Sequence, residues 1–538
     1  MGTIRYTPTR RMRRSSEWAG AVAVAAVALT ACSSAEPATT SREGLIIGRA
    51  MDVTTLDISR SLCDTCQIYN AAVYESLTRA TEEGTLEPLL AESWEANADN
   101  TEFTFTLNTD AVFSDGSPVE AKDVVWSWLR LQNLQDAPSY FMSGITSVEA
   151  PDESTVVVTS EAPNSAFLNI SSACYMGVVN SDVAAENGAT ADADAASSDD
   201  AEQWFLENSA GSGQYVLDSY SEGSELALTA NENYWGEEPS FTEVTIKEVT
   251  DSSAQLQQLQ QGDIDLAMQI SFDALDQVES DPELTTEVVP SYNFVYTAFS
   301  PGVVGAEALQ DVRVRDAIRM GIDYETVIDA TVAGNGEKQS TGIPNGFEGT
   351  SDLPLPEFDP EGAKALLAEA GFPNGLEVET VYPNTTTYGV NFTTMMQSIQ
   401  QSLAQIGVTL NLTPVEFTNW VDRVQGDGIP FTAVYFAPDH PDTIQYVQYF
   451  SLAEASVWQE RAKMPVNAEQ TALSAAALSQ SGEEREATYA ALGQLMYDDA
   501  IILPVVNPSY LLASSSAVQG NNYDIARNLD LSRMSFSD

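Results

Sequence analysis

The chain is poor in most of what neutral-pH catalysis draws on. Its 538 residues hold one histidine, four cysteines, and 23 Lys and Arg against 79 Asp and Glu. A single histidine, His440, excludes an HExxH zinc site and a histidine-rich metal centre. Neither a G-x-S-x-G elbow nor a P-loop occurs, and a serine nucleophile needs a histidine or lysine base within reach. Carboxylate pairs of the glycosidase kind are too abundant to carry information, so a secreted hydrolase stays only as a minor alternative. No cofactor and no metal is expected. The shortage of cations also excludes nucleic acid, whose phosphates need clustered Lys and Arg. The net charge of −56 reads as a surface solvated against salt, since fields of exposed charges fade over about 8 Å.

Long apolar runs are missing too. The run from Trp18 to Ala31 follows five arginines and is too short for a hydrocarbon core of about 30 Å, which needs roughly 20 residues. It reads as an export signal. Leu29-Thr30-Ala31-Cys32 resembles the bacterial lipobox, which implies cleavage before Cys32 and lipidation there. Residues 1–31 are then signal, and 32–43, small and polar, a flexible tether. The remainder, with a net charge of about −60, would sit outside the cytoplasm, anchored to the outer face of the cytoplasmic membrane. Roughly 490 residues exceed one ordinary core, so two or more lobes are expected.

Outside the cytoplasm a disulfide is plausible among Cys63, Cys66 and Cys174. "CDTC" could close on itself or form half of a zinc site, but no second CxxC completes four ligands. A bridge from Cys63 or Cys66 to Cys174 is the favoured reading, with the pairing left open.

Several segments announce their structure. Phe103, Phe105 and Leu107 alternate with polar residues as a half-buried strand. After the Asp115-Gly116 turn, Ser117 reads as an N-cap, Pro118 as the first helical residue and Glu120 as the capping-box partner. The helix they open turns Val124, Val125, Trp128 and Leu129 inward. Residues 182–203, acidic and alanine-rich, read as an exposed, mobile excursion. Further on, "LEVETVY", "NFTTMMQSIQQSLAQIG", "VTLNLTPV", "FTNWVDRVQ" and "PFTAVYFA" give strand, helix, strand, helix, strand with short connections. That order calls for a parallel sheet covered by helices, with ligands outside the carboxyl ends of its strands. "APDHPD", residues 437–442, lies at such an end.

The ordered motifs "LEPLLAESWE", "FSDGSPVEAKDVVWS", "GSGQYVLDSYSEGSELALTANENYWGEEP", "LQQGDIDLA", "VRVRDAIRMGID", "FDPEGAKALLAEAGFPNG" and "APDHPD" resemble those of bacterial extracellular solute-binding protein family 5. These are the peptide and oligopeptide receptors of ABC importers. The likeness runs from Leu45 to the C-terminus. It implies an α/β clamp of the periplasmic-binding-protein type II, cluster C kind: two lobes of mixed sheets flanked by helices, joined by two hinge strands. Lobe I would cover 44–292, with a small extra subdomain, and take back 505–538; lobe II would cover 293–504. A monomer is expected, serving a membrane permease near which its lipid holds it.

The resemblance also implies a site. Asp439 would pair with the ligand's α-amino group, Phe436 stands where the family usually has tryptophan, and the backbone of Tyr435 to Ala437 would pair with an extended peptide. Alternatively Asp439 is a turn residue, as Asp442 is read to cap the helix "TIQYVQYF". His440 is read as exposed turn packing, near the pocket mouth. Thr386 stands about where dipeptide receptors carry a carboxylate-binding arginine, which favours longer peptides or a non-peptide solute. Sugar oligomers, opines and metal complexes are the alternative cargoes, and a signalling receptor that delivers nothing is a third reading. Trp420 either walls the pocket or shares a core face with Phe417 and Val424. Met51 and Asp52 meet the ligand or pack their loop.

Overall fold

A computed structural model describes residues 44–81 and 85–537. The arginine-rich start, Cys32 and the tether lie outside the described residues.

Two large mixed sheets organise the chain. The first has seven strands, in the spatial order Leu284–Val289, Tyr510–Ser515, Leu266–Ala267, Gly44–Arg49, Glu243–Glu248, Glu225–Ala230 and Tyr215–Ser221. Gly44–Arg49 runs parallel to both its neighbours, and the outer pairs are antiparallel. The second has six, in the order Gly336–Glu337, Ile502–Pro508, Phe294–Phe299, Phe431–Phe436, Leu376–Pro383 and Val408–Val415. The chain crosses between the sheets twice, from Val289 to Phe294 and from Pro508 to Tyr510.

The alternation read from Leu376 onward forms as a parallel set: Leu376–Pro383 pairs with Val408–Val415 and bridges to Phe431–Phe436. Between them the helix Phe392–Ala404 turns Phe392, Met395, Met396, Ile399 and Leu403 inward, all fully buried. That is one apolar stripe at helical spacing. The sheet is mixed because Phe294–Phe299 joins it antiparallel, from over 80 residues earlier in the chain.

A third, four-stranded antiparallel sheet holds Ala91–Ala96, Glu102–Leu107, Thr155–Ser160 and Ile145–Glu149. Phe103, Phe105 and Leu107 face its core, as their alternation predicts. The neighbouring helix, Ala121–Leu134, starts three residues later than its sequence suggests: Glu120 is the N-cap and Asp123 completes the capping box. Pro118 is instead bridged to Val112 in extended conformation. Val124 and Trp128 are buried, while Val125 and Leu129 are half-buried.

Residues 182–203 are not a loose excursion. They carry three short helices. Beside them Asp199 is locked to Arg130, which is also held by Asp57 through bonds of 2.6 and 2.7 Å, all three side chains being fully buried. Arg60 closes the network onto Asp199 and Asp136. A mutually satisfied buried ion group of this kind can order a segment whose composition alone would not.

Candidate crevice at the strand ends

The helix Asp64–Val73 opens at the carboxyl end of the Gly44–Arg49 strand. Its far end is clamped by "GSGQY": Gly213 N–H donates to the Val73 carbonyl at 3.0 Å, and a Cβ on Gly211 would overlap that same oxygen. Only glycine permits so close an approach. At the near end Cys63 is the N-cap, and it is bridged to Cys66. The favoured bridge to Cys174 therefore does not form. CxxC across a first helical turn brings the two sulfurs together locally, and Cys174 is buried and free. Burial pushes its thiol far up from the ordinary range.

Asp439 follows the Phe431–Phe436 strand and is half-buried. Its Oδ2 accepts from the Tyr140 hydroxyl at 2.6 Å and its backbone N–H donates to Gln445 Oε1 at 3.0 Å. Burial pushes its carboxyl up to about 6, against the opposing pull of the Tyr140 bond. Among the described residues no Lys or Arg forms an ion pair with it.

Asp442, three residues on, is saturated. It accepts from Arg485 Nη2 at 2.7 Å on both oxygens, from Asn169 at 2.9 Å and from the Ile444 N–H at 3.0 Å. The N-cap of the helix Ile444–Phe450 is Thr443, and Asp442, one residue before it, holds the helix's first N–H. His440 is not exposed packing: it is 2 % exposed, with its ring 6.0 Å from Phe141. Burial pushes it down to about 4, so the imidazole is neutral.

The walls are aromatic. Tyr435 meets Tyr388 at 5.6 Å and Phe417 at 6.1 Å, and Tyr388 meets Tyr510, which stacks on Tyr523 at 4.7 Å. Side chains of both large sheets thus face one crevice. Phe436 packs on Tyr449 and Phe450, and Ala437 is half-buried. One edge of the Phe431–Phe436 strand is paired along its length with Phe294–Phe299; the other meets a strand only at Phe431. Thr386 sits exposed in a hairpin with Asn391. Trp420 does not wall the crevice: it is 3 % exposed, donates to Thr432 Oγ1 at 2.8 Å and belongs to the core with Val424. Phe417 is the exposed partner of that pair.

On the opposite side Met51 N–H donates to Glu248 at 2.7 Å, with its side chain half-buried. Asp52 accepts from the backbone N–H groups of Asp64 and Thr65, both at 2.9 Å, so it caps the helix start. Burial opposes its charge, but Arg49 and the bonds from Thr65 and Asp64 hold its carboxyl below the usual value. Asp64 behaves differently. The crevice walls strip most of its hydration, the charges of Asp52 and Asp439 add to the burial, and Arg49 only partly opposes them, so it is pushed up to about 7.

Arg49, Asp64, Tyr140 and Tyr388 were not legible as site residues. Asp64 hid inside a motif that reads as cysteine chemistry, and Tyr140 lies 299 residues from its partner.

Beside the 437–442 turn a cavity of about 320 Å³ opens between Asn169, Tyr292, Phe347, Asp442, Arg485 and Ile525. That volume lies at the lower end of small-ligand sites, about 300 to 1,000 Å³.

Comparison with known proteins places this geometry. The profile of the bacterial extracellular solute-binding proteins, family 5 Middle, matches residues 85–456. The probable D,D-dipeptide-binding periplasmic protein DdpA of Escherichia coli is 27% identical over 490 residues, covering 89% of this chain and 91% of its own. Heme-binding protein A of Haemophilus influenzae is 25% identical, covering 84% and 85%. Among solved structures, CtaP of Listeria monocytogenes superposes with a TM-score of 0.79 at 22% identity, covering 92% and 99%. DppA of Helicobacter pylori, solved with the peptide STSA, gives 0.76 at 21%, again covering 92% and 99%. The fold is the α/β, two-lobed periplasmic-binding-protein clamp of cluster C, and its work is to bind a solute, not to transform one. The chain belongs to the bacterial extracellular solute-binding proteins, family 5.

Proposed function

We propose that this chain is the extracytoplasmic receptor of an ABC importer and that it captures peptides, gripping the free α-amino group with Asp439. Lobe I, 44–292 with 505–538, and lobe II, 293–504, close on the cargo by bending at the two crossings, and ligand contacts from both lobes favour the closed form. The observation that carries the reading is the half-buried Asp439 carboxylate with a tyrosine for a neighbour and no ion-pair partner. An ammonium group supplies the missing charge, and a neighbouring strand edge left free beyond Phe431 offers backbone groups that read any extended peptide alike. Met51 and Asp52 line the far side, and Tyr435, Phe436 and Ala437 the near one, with His440 buried behind them; Thr386 leaves its hairpin without a charge. Lipidation at Cys32 keeps the receptor close to its permease, which raises effective concentration.

Peptide cargo is the choice over other solutes that relatives carry, such as agropinic acid in AgaA or a nickel–histidine complex in NikZ. A thermal-shift screen decides it, because a ligand specific to the folded state raises stability as its concentration exceeds Kd. Peptides with free N-termini should stabilise the protein, N-acetylated ones should not, and Asp439→Asn should abolish the shift. A shift produced only by sugars, opines or metal complexes would overturn the peptide reading.

A further inference from the structure

Arg49 ends the central strand of the seven-stranded sheet and points its charge at the crevice: it acts electrostatically on Asp52, Asp64 and the Tyr510 phenol. It is 2 % exposed, its Nη1 has no hydrogen-bond partner, and its Nε reaches only the Ala50 carbonyl, at 3.4 Å. No carboxylate stands within ion-pair distance of it among the described residues. A buried guanidinium is otherwise paired, because an unmet N–H and an unbalanced charge are both costly. None of the neighbouring acids fills the gap: Glu248, the register partner of Arg49 on the adjoining strand, accepts from the Met51 N–H and forms no ion pair with Arg49. Asp52 spends its oxygens on two backbone N–H groups, and Asp64 gains no bond from Arg49. Among the described residues Arg49 is the cation that acts on Asp52, Asp64 and Tyr510 together.

We infer that Arg49 receives the carboxylate end of the cargo, so that the crevice takes short peptides with both termini free. The inference rests on the peptide reading above and adds the second anchor. Asp439 follows a strand of the other sheet, yet Gln67, in the first turn of the helix that Asp64 opens beside Arg49's strand end, donates to the Pro438 carbonyl at 3.4 Å, so the helix start and the 437–442 turn face one compartment. An extended chain spans about 3.5 Å per residue, so a dipeptide or tripeptide reaches about 7 to 10 Å from end to end. Guanidinium and carboxylate match in planar, two-pronged geometry, and closure of the lobes would bury that pair with its charge balanced. Long peptides, whose carboxylate cannot lie inside, are disfavoured because they leave Arg49 unmet. This reverses the expectation drawn from Thr386: the cation that a dipeptide carboxylate requires is present, but on the other sheet.

Calorimetric titration of the folded protein with a mixture of free dipeptides and tripeptides, the same mixture C-amidated, and the same mixture N-acetylated tests this. Amidation should weaken binding to the unaltered protein at least about tenfold. In Arg49→Gln the free and amidated mixtures should bind alike, and Arg49→Lys should restore part of the difference. The amidation arm needs no variant, so it reads even if Arg49→Gln unfolds. If amidated peptides bind the unaltered protein as tightly as free ones while N-acetylation abolishes binding, Arg49 is not the anchor and the peptide reading stands. If no mixture binds, both fall.

Discussion

Two groups of buried charge in this molecule differ in one respect. Around Arg130 every guanidinium faces a carboxylate: Asp57 and Asp199 answer Arg130, and Arg60, though its Nε lacks a hydrogen bond, is ion-paired with Asp57, Asp136 and Asp199. At the crevice, Asp439 has a phenol, burial pushes the Asp64 carboxyl up to about 7, and Arg49 has an unanswered N–H and, among the described residues, no ion pair. Both are charge clusters in low dielectric, but the first is complete without a ligand and the second is not. Charges that a fold satisfies internally hold it together; charges that it leaves open await something from outside.

The largest break in that contrast is Arg130→Ala, which strands Asp57 and Asp199 unpaired. It should cost about 3–5 kcal/mol, read by urea unfolding, while peptide affinity of the folded fraction stays within about twofold. A small loss would mean that the network is not as closed as its distances suggest. Asp439→Asn should do the reverse, with unliganded stability unchanged or slightly raised and affinity for free-N-terminus peptides down at least about 100-fold. Opening the bridge by Cys66→Ser lies between the two. Loop closure over so short a span contributes about 2 kcal/mol, and because Cys63 caps the helix carrying Asp64, peptide affinity should drop with stability. Equal affinity in that variant would uncouple the helix start from the crevice.

The smallest effects are those of pH. With Asp439 near 6, an ammonium ligand must displace its proton at lower pH, so affinity should fall by up to about tenfold per unit below 6. Asp439→Asn should flatten that slope. His440 works on stability instead. Its folded value of about 4 lies below the unfolded one near 6.5, so its contribution is whole above about 6.5 and is lost as pH falls towards 4. Asp439 and Asp64, raised in the fold, gain stability in the same acid range. The His440 share is therefore read as the difference between the protein and His440→Leu in acid melting curves.

Much of the fold was legible where one segment carries its own pattern. The apolar stripe of Phe392–Ala404 and the alternation of Glu102–Leu107 needed no distant partner. The start of Ala121–Leu134 was misread because Ser117 and Pro118 form a good opening signal, while Glu120 with Asp123 forms a better one. The order of 182–203 was illegible because it depends on Arg130, some 50 residues away. The site divides the same way. Asp439 and its strand could be read from a local motif, whereas Tyr140, 299 residues away, bonds it only through closure of the chain, and nothing local marks Arg49 or Asp64 as facing the same crevice. Trp420 and His440 show the limit from the other side: nothing local reveals whether an aromatic ring ends in a wall or in the core.

One consequence follows from the solitary Cys174. With the other two described cysteines tied to each other, an oxidising environment would normally invite the odd thiol to couple with a neighbour's or to reshuffle the existing bond. Exchange needs a thiolate that can be reached, and this sulfur offers neither ionisation nor access. Folded copies should therefore stay unlinked in air, and maleimide reagents should label them only after denaturation.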